Sequence, residues 1–247
     1  MQFSANLGFL FNSSALPDAI HKAHQVGFDA VEFHWPYDVP VDEVRAALAT
    51  TGLPLLGLNT LRGAPGENGL AALPGRQAES RRAIDQAIRY ADATDARAIH
   101  VMAGFAEGPD ARRAFQENLG YACGQTDRMI LIEPLNRHDA PGYFLQTTDQ
   151  ARAIIEDLAL PNLRLMFDCY HVGRTEGDII TRLTGLFSII GHIQIAAVPD
   201  RGAPDHGEIN YPAIYEHVAD LGWVTPLGAE FKAPDAVIGN WLGGLRR

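Results

Sequence analysis

Eight short apolar runs of β type recur along the chain, at 3–7, 30–33, 54–58, 98–102, 129–133, 163–168, 190–194 and 226–230. The stretches between them, 16–26, 41–50, 76–95, 110–126, 147–158, 178–188 and 211–221, space apolar residues three and four positions apart, as on one face of a helix. Regular alternation of the two periods predicts parallel strands joined by crossover helices. Eight such strands in 247 residues predict an α/β fold, a (β/α)8 TIM barrel forming a single domain over 1–247. An open doubly wound sheet would carry a glycine-rich phosphate turn after its first strand, and no GxGxxG or Walker-type loop occurs. Asp110 and Thr147 or Thr148 are candidate helix caps, and Gly27, Gly52 and Gly222 stand just past helix ends.

A hydrophobic fraction of 47% is enough for one large core. The formal charge of −10 argues against a nucleic-acid partner, because a phosphate-binding surface needs clustered Lys and Arg to displace counterions. Cys123 and Cys169 lie far apart without metal-type spacing, and read as small apolar fillers in a reducing compartment. The start MQFSANLGFL lacks a basic segment and a sustained apolar segment, and no apolar run reaches the roughly 18 residues of a membrane span. The expectation is a cytoplasmic protein with no membrane partner, for which a homo-oligomer is allowed.

In a barrel of this kind the C-terminal ends of the strands converge on one mouth. The fifth run finishes on Glu133, the sixth on Asp168, the seventh on Gln194 and the eighth on Glu230, each behind an apolar stretch. Three carboxylates meeting there would repel one another unless a cation joined them or one kept a proton. A divalent metal resolves the conflict. An all-oxygen donor set favours Mg²⁺ or Mn²⁺, with Co²⁺ or Zn²⁺ able to occupy the same site.

Other polar residues fall near these ends. His171 lies three residues beyond Asp168, and Arg201 and Asp139 follow the seventh and fifth runs, so all three are candidates for holding a small anionic substrate. Arginine pairs with a carboxylate through a planar fork, and histidine can hydrogen-bond a hydroxyl or pass a proton. His34 and His100 stand at strand ends and His192 shares parity with Gln194, which suits it to a supporting role inside the barrel. His138 is close enough in sequence to Glu133 to reach the same pocket; His21, His24 and His217 fall on helices, and His206 in a loop. The long irregular stretch 59–75 follows the third strand and is a candidate lid.

Taken together, FSANLGFLF at 3–11, GFDAVEFHWPYD at 27–38, GENGLAALPGR at 66–76, LIEPLNRHDAPGYFL at 131–145, DCYHVGRTEGD at 168–178, GHIQIA at 191–196, RGAPDHGEINY at 201–211 and GAEFKA at 228–233 resemble the hydroxypyruvate isomerase family of xylose-isomerase-like barrels. The similarity runs from residue 3 to about residue 235 with motif order preserved. The resemblance implies that Glu133, Asp168, Gln194 and Glu230 bind one divalent metal and that the two glutamates are proton donor and acceptor. It implies interconversion of hydroxypyruvate and 2-hydroxy-3-oxopropanoate through an enediolate. The alternatives are a 2-oxo-tetronate isomerase, a keto-sugar 3-epimerase on the same barrel, a nuclease of the related endonuclease barrels, which the acidic charge and oxygen donors oppose, and a non-catalytic sugar-acid-binding barrel. Departures from the family pattern, at Ala197 where members often carry an acid, at APDHGE in place of a Pro-Gly-Thr-Gly turn, and in a shorter 59–65 segment without the usual Trp-containing stretch, all fall in loops that would face the substrate.

Overall fold

The computed structural model describes residues 1–246, in which eight parallel strands close into a barrel in sequence order. They are β1 (Phe3–Asn6), β2 (Ala30–Phe33), β3 (Leu55–Asn59), β4 (Ala98–His100), β5 (Met129–Ile132), β6 (Leu163–Asp168), β7 (Ile190–Ile195) and β8 (Leu227–Ala229). Outside them run α1 (Leu16–Val26), α2 (Val41–Thr51), α3 (Gln77–Thr94), α4 (Gly108–Gln125), α5 (Thr148–Leu158), α6 (Cys169–Thr175), α7 (Ile179–Leu186), α8 (Tyr211–Asp220) and α9 (Asp235–Leu245). All eight expected strands and all seven expected helices are present. Two helices, α6 and α9, are additional.

Caps set several of these boundaries. The Thr147 side chain accepts from the Gln150 N–H and starts α5, whereas Asp110 lies inside the first turn of α4, where a carboxylate favours the helix dipole without capping. The Asp168 side chain accepts from the Tyr170 N–H, so the last residue of β6 is also the cap of α6. Helix α9 closes the ring between β8 and β1. Its Trp241 packs at 5.2 Å from Phe3 and 5.1 Å from Phe231, between ring centroids, and burying each such ring contributes about 1.5–3 kcal/mol. Among the described residues no helix is long and apolar enough to cross a membrane.

The two-residue period of the strands decides what faces the barrel axis. In β5, Ile130 and Ile132 join the large core beneath the helices, while Leu131 packs with Ala98, Met166 and Met129 in a small plug inside the barrel. Glu133 continues the inward parity of Met129 and Leu131; Asp168 continues that of Met166. The same count carries Asn6 from Ser4, His34 from Glu32, Gln194 from His192 and Glu230 from Gly228. Pairing then aligns neighbours: Asp168 stands opposite Gln194, Gln194 opposite Gly228, and Asn6 opposite Glu32. β5 and β8 stop one residue short of their glutamates, leaving both side chains at the boundary between packed interior and mouth.

The stretch 59–75 is tied down rather than freely arched. The N–H groups of Ala71 and Ala72 donate to the carbonyls of Met102 and Ala103, at 3.2 and 2.7 Å, and Gly69 and Ala103 form an antiparallel bridge. The contact is backbone on backbone: Gly104 adopts φ +93°, and a Cβ there would lie 2.3 Å from the Gly69 carbonyl oxygen. The tip, 62–66, is exposed, as are Pro74 and Gly75 where the stretch leads into α3.

Candidate metal and catalytic site

One ligand atom from each of Glu133, Asp168, His171 and Glu230 lies within 4.8 Å of the other three, and all four residues are buried. The hydrogen-bond ledger separates committed oxygens from free ones. Asp168 spends one oxygen on the Tyr170 N–H at 2.8 Å, and its Oδ2 is buried without a hydrogen-bond partner. Glu133 Oε1 is likewise buried and unpartnered. Gln194 donates Nε2 to Glu32 Oε2 at 2.9 Å, and its Oε1 has no partner. Glu230 Oε1 accepts from Asn6 Nδ2 at 2.8 Å and lies 3.0 Å from His34 Nε2, while Oε2 takes the Arg201 guanidinium. Each buried oxygen left unpaired costs about 1–3 kcal/mol. A divalent cation drawn to these hard donors would offset that cost, so the residues present fit such an ion.

The charges tell the same story. Burial, then repulsion by Glu230 and Asp168, raises Glu133 well above the usual carboxylate range. Burial and the Glu230 charge raise Asp168. Glu230 moves the other way: burial opposes its ionisation, but the charge of Arg201 and the hydrogen bond from His34 prevail. The three carboxylates therefore titrate as a group that retains a proton where isolated carboxylates would have none.

His171 has a defined tautomer. Its Nδ1 accepts from the Asn136 backbone N–H at 3.0 Å and lies 2.8 Å from Asn136 Nδ2, and burial holds the ring neutral by pushing it down to about 3. The ring proton must then sit on Nε2, which faces Asp168 Oδ2 at 3.6 Å and Glu133 Oε1 at 3.8 Å. His171 thus turns a donor, not a lone pair, toward the carboxylates. His100 is also neutral, lowered by burial to about 4, with Nδ1 3.7 Å from Glu133 Oε2.

Arg201 enters from the loop after β7, its guanidinium 4.4 Å above the Phe9 ring and 4.9 Å from that of Tyr170, and it reaches Asp168 Oδ2 at 3.7 Å as well as Glu230. Asp139 lies at the rim, where its Oδ2 accepts from the Tyr170 hydroxyl at 2.7 Å and from Asn136 Nδ2 at 3.1 Å, 4.0 Å from Arg201. His138 and His206 are exposed; His206 pairs with Asp200 and Asp205. The mouth holds a cavity of about 330 Å³ bordered by Glu133, Glu230, His171, Arg201, Trp35 and Arg62.

Five residues that sequence reasoning did not single out help build the site. Asn6 and Glu32 are polar residues at inward positions of β1 and β2, a parity that could have exposed them. Asn136 and Tyr170 act through turn geometry and Phe9 through stacking, which leave no periodic signal.

The xylose isomerase-like TIM-barrel family profile matches residues 20–246. The chain is 41% identical to the 2-oxo-tetronate isomerase of Cupriavidus necator, an alignment covering 99% of this chain and 97% of that one. It is 38% identical to the hydroxypyruvate isomerase of Escherichia coli, over 94% of this chain and 93% of that one. Among solved structures, one described as an AP endonuclease, family 2, from Brucella melitensis superposes with a TM-score of 0.95 at 33% identity, covering 100% of this chain and 99% of that one.

Proposed function

The chain belongs to the xylose isomerase-like TIM-barrel family, as an isomerase among hydroxypyruvate and 2-oxo-tetronate isomerases, and from that membership we propose that it interconverts hydroxypyruvate and 2-hydroxy-3-oxopropanoate, with one divalent metal as cofactor. The observation that carries the proposal is the convergence of buried, unpartnered oxygens from Glu133 and Asp168 on the carboxylate of Glu230. Glu133, Asp168, Gln194 and Glu230 would hold the ion, with Mg²⁺ or Mn²⁺ matching their hard oxygens. When bound, it supplies positive charge that stabilises the anion developing between two substrate oxygens.

The protein's own groups account for the rest. Moving the carbonyl from C2 to C3 requires a proton to leave C3 and a proton to arrive at C2, with an enediolate between. Glu133 and Glu230 face the same cavity and act as the base and acid of that exchange. The hydroxyl proton lost at the C3 oxygen is balanced by one gained at the C2 oxygen, and His171 Nε2–H donates to these oxygens as negative charge shifts between them. Arg201, with Asp139 bracing it at the rim, holds the substrate carboxylate. Tyr170, Phe9 and Trp35 narrow the approach and limit water at the reacting carbons.

The alternative keto-sugar and DNA substrates receive less support. DNA binding would need a basic groove, and the chain carries a net charge of −10 with carboxylates at the mouth. The test is turnover of hydroxypyruvate, a 2-oxo-tetronate and a ketohexose by Mn²⁺-loaded protein in deuterated water. The proposal expects hydroxypyruvate to have the highest kcat/KM, with deuterium appearing on carbon. Preference for the 2-oxo-tetronate would move the substrate within the same chemistry, and turnover of the ketohexose alone would overturn the proposal.

A further inference from the structure

Glu32 lies inside the barrel on β2, 4% exposed, and belongs to no step described above. Three side chains face its carboxylate. The Ser4 hydroxyl donates to Oε1, His192 Nε2 lies 3.0 Å from Oε1, and Gln194 Nε2 donates to Oε2 at 2.9 Å. The arrangement is built for an acceptor with no protons of its own, since each neighbour can offer a hydrogen. Space is reserved for it as well: a Cβ on Gly228 of β8 would meet Glu32 Oε1 at 2.6 Å, Gln194 Cγ at 2.7 Å and His192 Nε2 at 2.9 Å.

The consequence falls on Gln194. A carboxamide has a donor end and an acceptor end of nearly equal size, and only its hydrogen-bond partners decide which way it turns. Here the donor end is taken by Glu32, which leaves Oε1 buried without a partner beside Asp168, its neighbour in register on β6. We propose that Glu32 is a positioning residue for the metal site: by accepting the amide protons of Gln194, it fixes the carbonyl oxygen as the face presented to the cation. A flipped amide would offer two hydrogens to a positive ion, a repulsive arrangement. The proposal rests on the metal reading above and adds a determinant that makes no contact with the ion.

The test is a double-mutant cycle read by Mn²⁺ affinity in calorimetry, with thermal unfolding of each metal-free variant alongside. Glu32→Gln keeps the volume but turns one end of the group into a donor, so its two ends cannot both accept, as the carboxylate does from Ser4 and Gln194. It is expected to weaken Mn²⁺ binding by roughly 10–100-fold, the usual effect of losing an outer hydrogen-bond partner. In a Gln194→Ala background the same change should cost less than about twofold, because there is no amide left to orient. Glu32→Asp retains the acceptor character with shorter reach and is expected to fall between; it runs the same cycle if Glu32→Gln folds poorly. Equal losses in both backgrounds would mean that Glu32 acts through its charge alone and would overturn the proposal, as would unchanged affinity in the single variant. Failure of the unmodified protein to bind Mn²⁺ would sink the metal reading together with this one, which separates the two failures.

Discussion

The Asn136 backbone N–H donates to His171 Nδ1 at 3.0 Å, and that single bond settles what the opposite nitrogen can do. With the ring neutral, Nε2 carries the proton and faces Asp168 and Glu133 as a donor. Proximity alone would count His171 among the metal ligands. The tautomer supports the proposed role toward the substrate instead. His171→Ala is therefore expected to keep Mn²⁺ affinity within about tenfold while kcat falls by roughly 10²–10⁴. Asp168→Ala should lose both. Calorimetry and steady-state kinetics on the two variants check this, and a loss of metal binding in His171→Ala equal to that in Asp168→Ala would contradict it.

The raised carboxylates predict an unusual pH dependence for the metal-free protein. Glu133 and Asp168 bind protons more tightly folded than unfolded, so the folded state holds the extra proton and stability falls as pH rises from the ordinary carboxylate range toward their raised values. Glu230 is depressed, and its contribution is lost only as pH falls below the ordinary range. Between about pH 5 and neutral the buried neutral His100 and His171 pull the other way, since each adds stability as pH rises, so the carboxylate contribution is read as a difference between variants. Relative to Glu133→Gln, chelator-treated protein should lose Tm across this window, and Mn²⁺ should abolish that loss by replacing the proton. An identical pH dependence of Tm in the two metal-free proteins would count against the clustered-carboxylate picture.

The tether of the 59–75 stretch makes a separate prediction. Gly104→Ala puts a methyl group into the Gly69 carbonyl at a backbone conformation that non-glycine residues resist. The expected cost is about 1–3 kcal/mol in urea unfolding, with a raised KM as Arg62 and Asn68 shift from the cavity wall. An unchanged KM would show that the segment does not shape the mouth.

Far from the chemistry, Trp241→Ala removes the ring by which α9 packs on Phe3, Phe28 and Phe231. A loss of about 3–5 kcal/mol in chemical denaturation is expected, with kcat/KM of the surviving folded protein largely retained. A collapse of kcat without loss of stability would place α9 in the catalytic apparatus instead.

Much of this architecture is legible in the sequence because strands and helices imprint periods of two and about 3.6. In β5 the alternation of Met129 and Leu131 with Ile130 and Ile132 carries straight on to Glu133, so both the strand and the direction of its terminal carboxylate can be read from one stretch. Helix α9 is hidden by its three glycines, which weaken local helix preference, and its formation depends on the aromatic packing of Trp241. Helix α6 is hidden by being only seven residues long and following directly on Asp168, the last residue of β6. Glu32 carries a parity signal, but its value comes from Gln194, 162 residues away, a pairing that only barrel closure creates. Arg201 could be placed near the mouth by its loop; its close engagement with Glu230 could not.

The most direct test of the central claim is anomalous diffraction at the manganese edge from crystals grown with Mn²⁺. One peak is predicted per chain, with an oxygen from each of Glu133, Asp168, Gln194 and Glu230 at about 2.1 Å and His171 Nε2 outside bonding distance. No peak at the mouth, or a peak bonded to His171 in place of Gln194, would contradict the account.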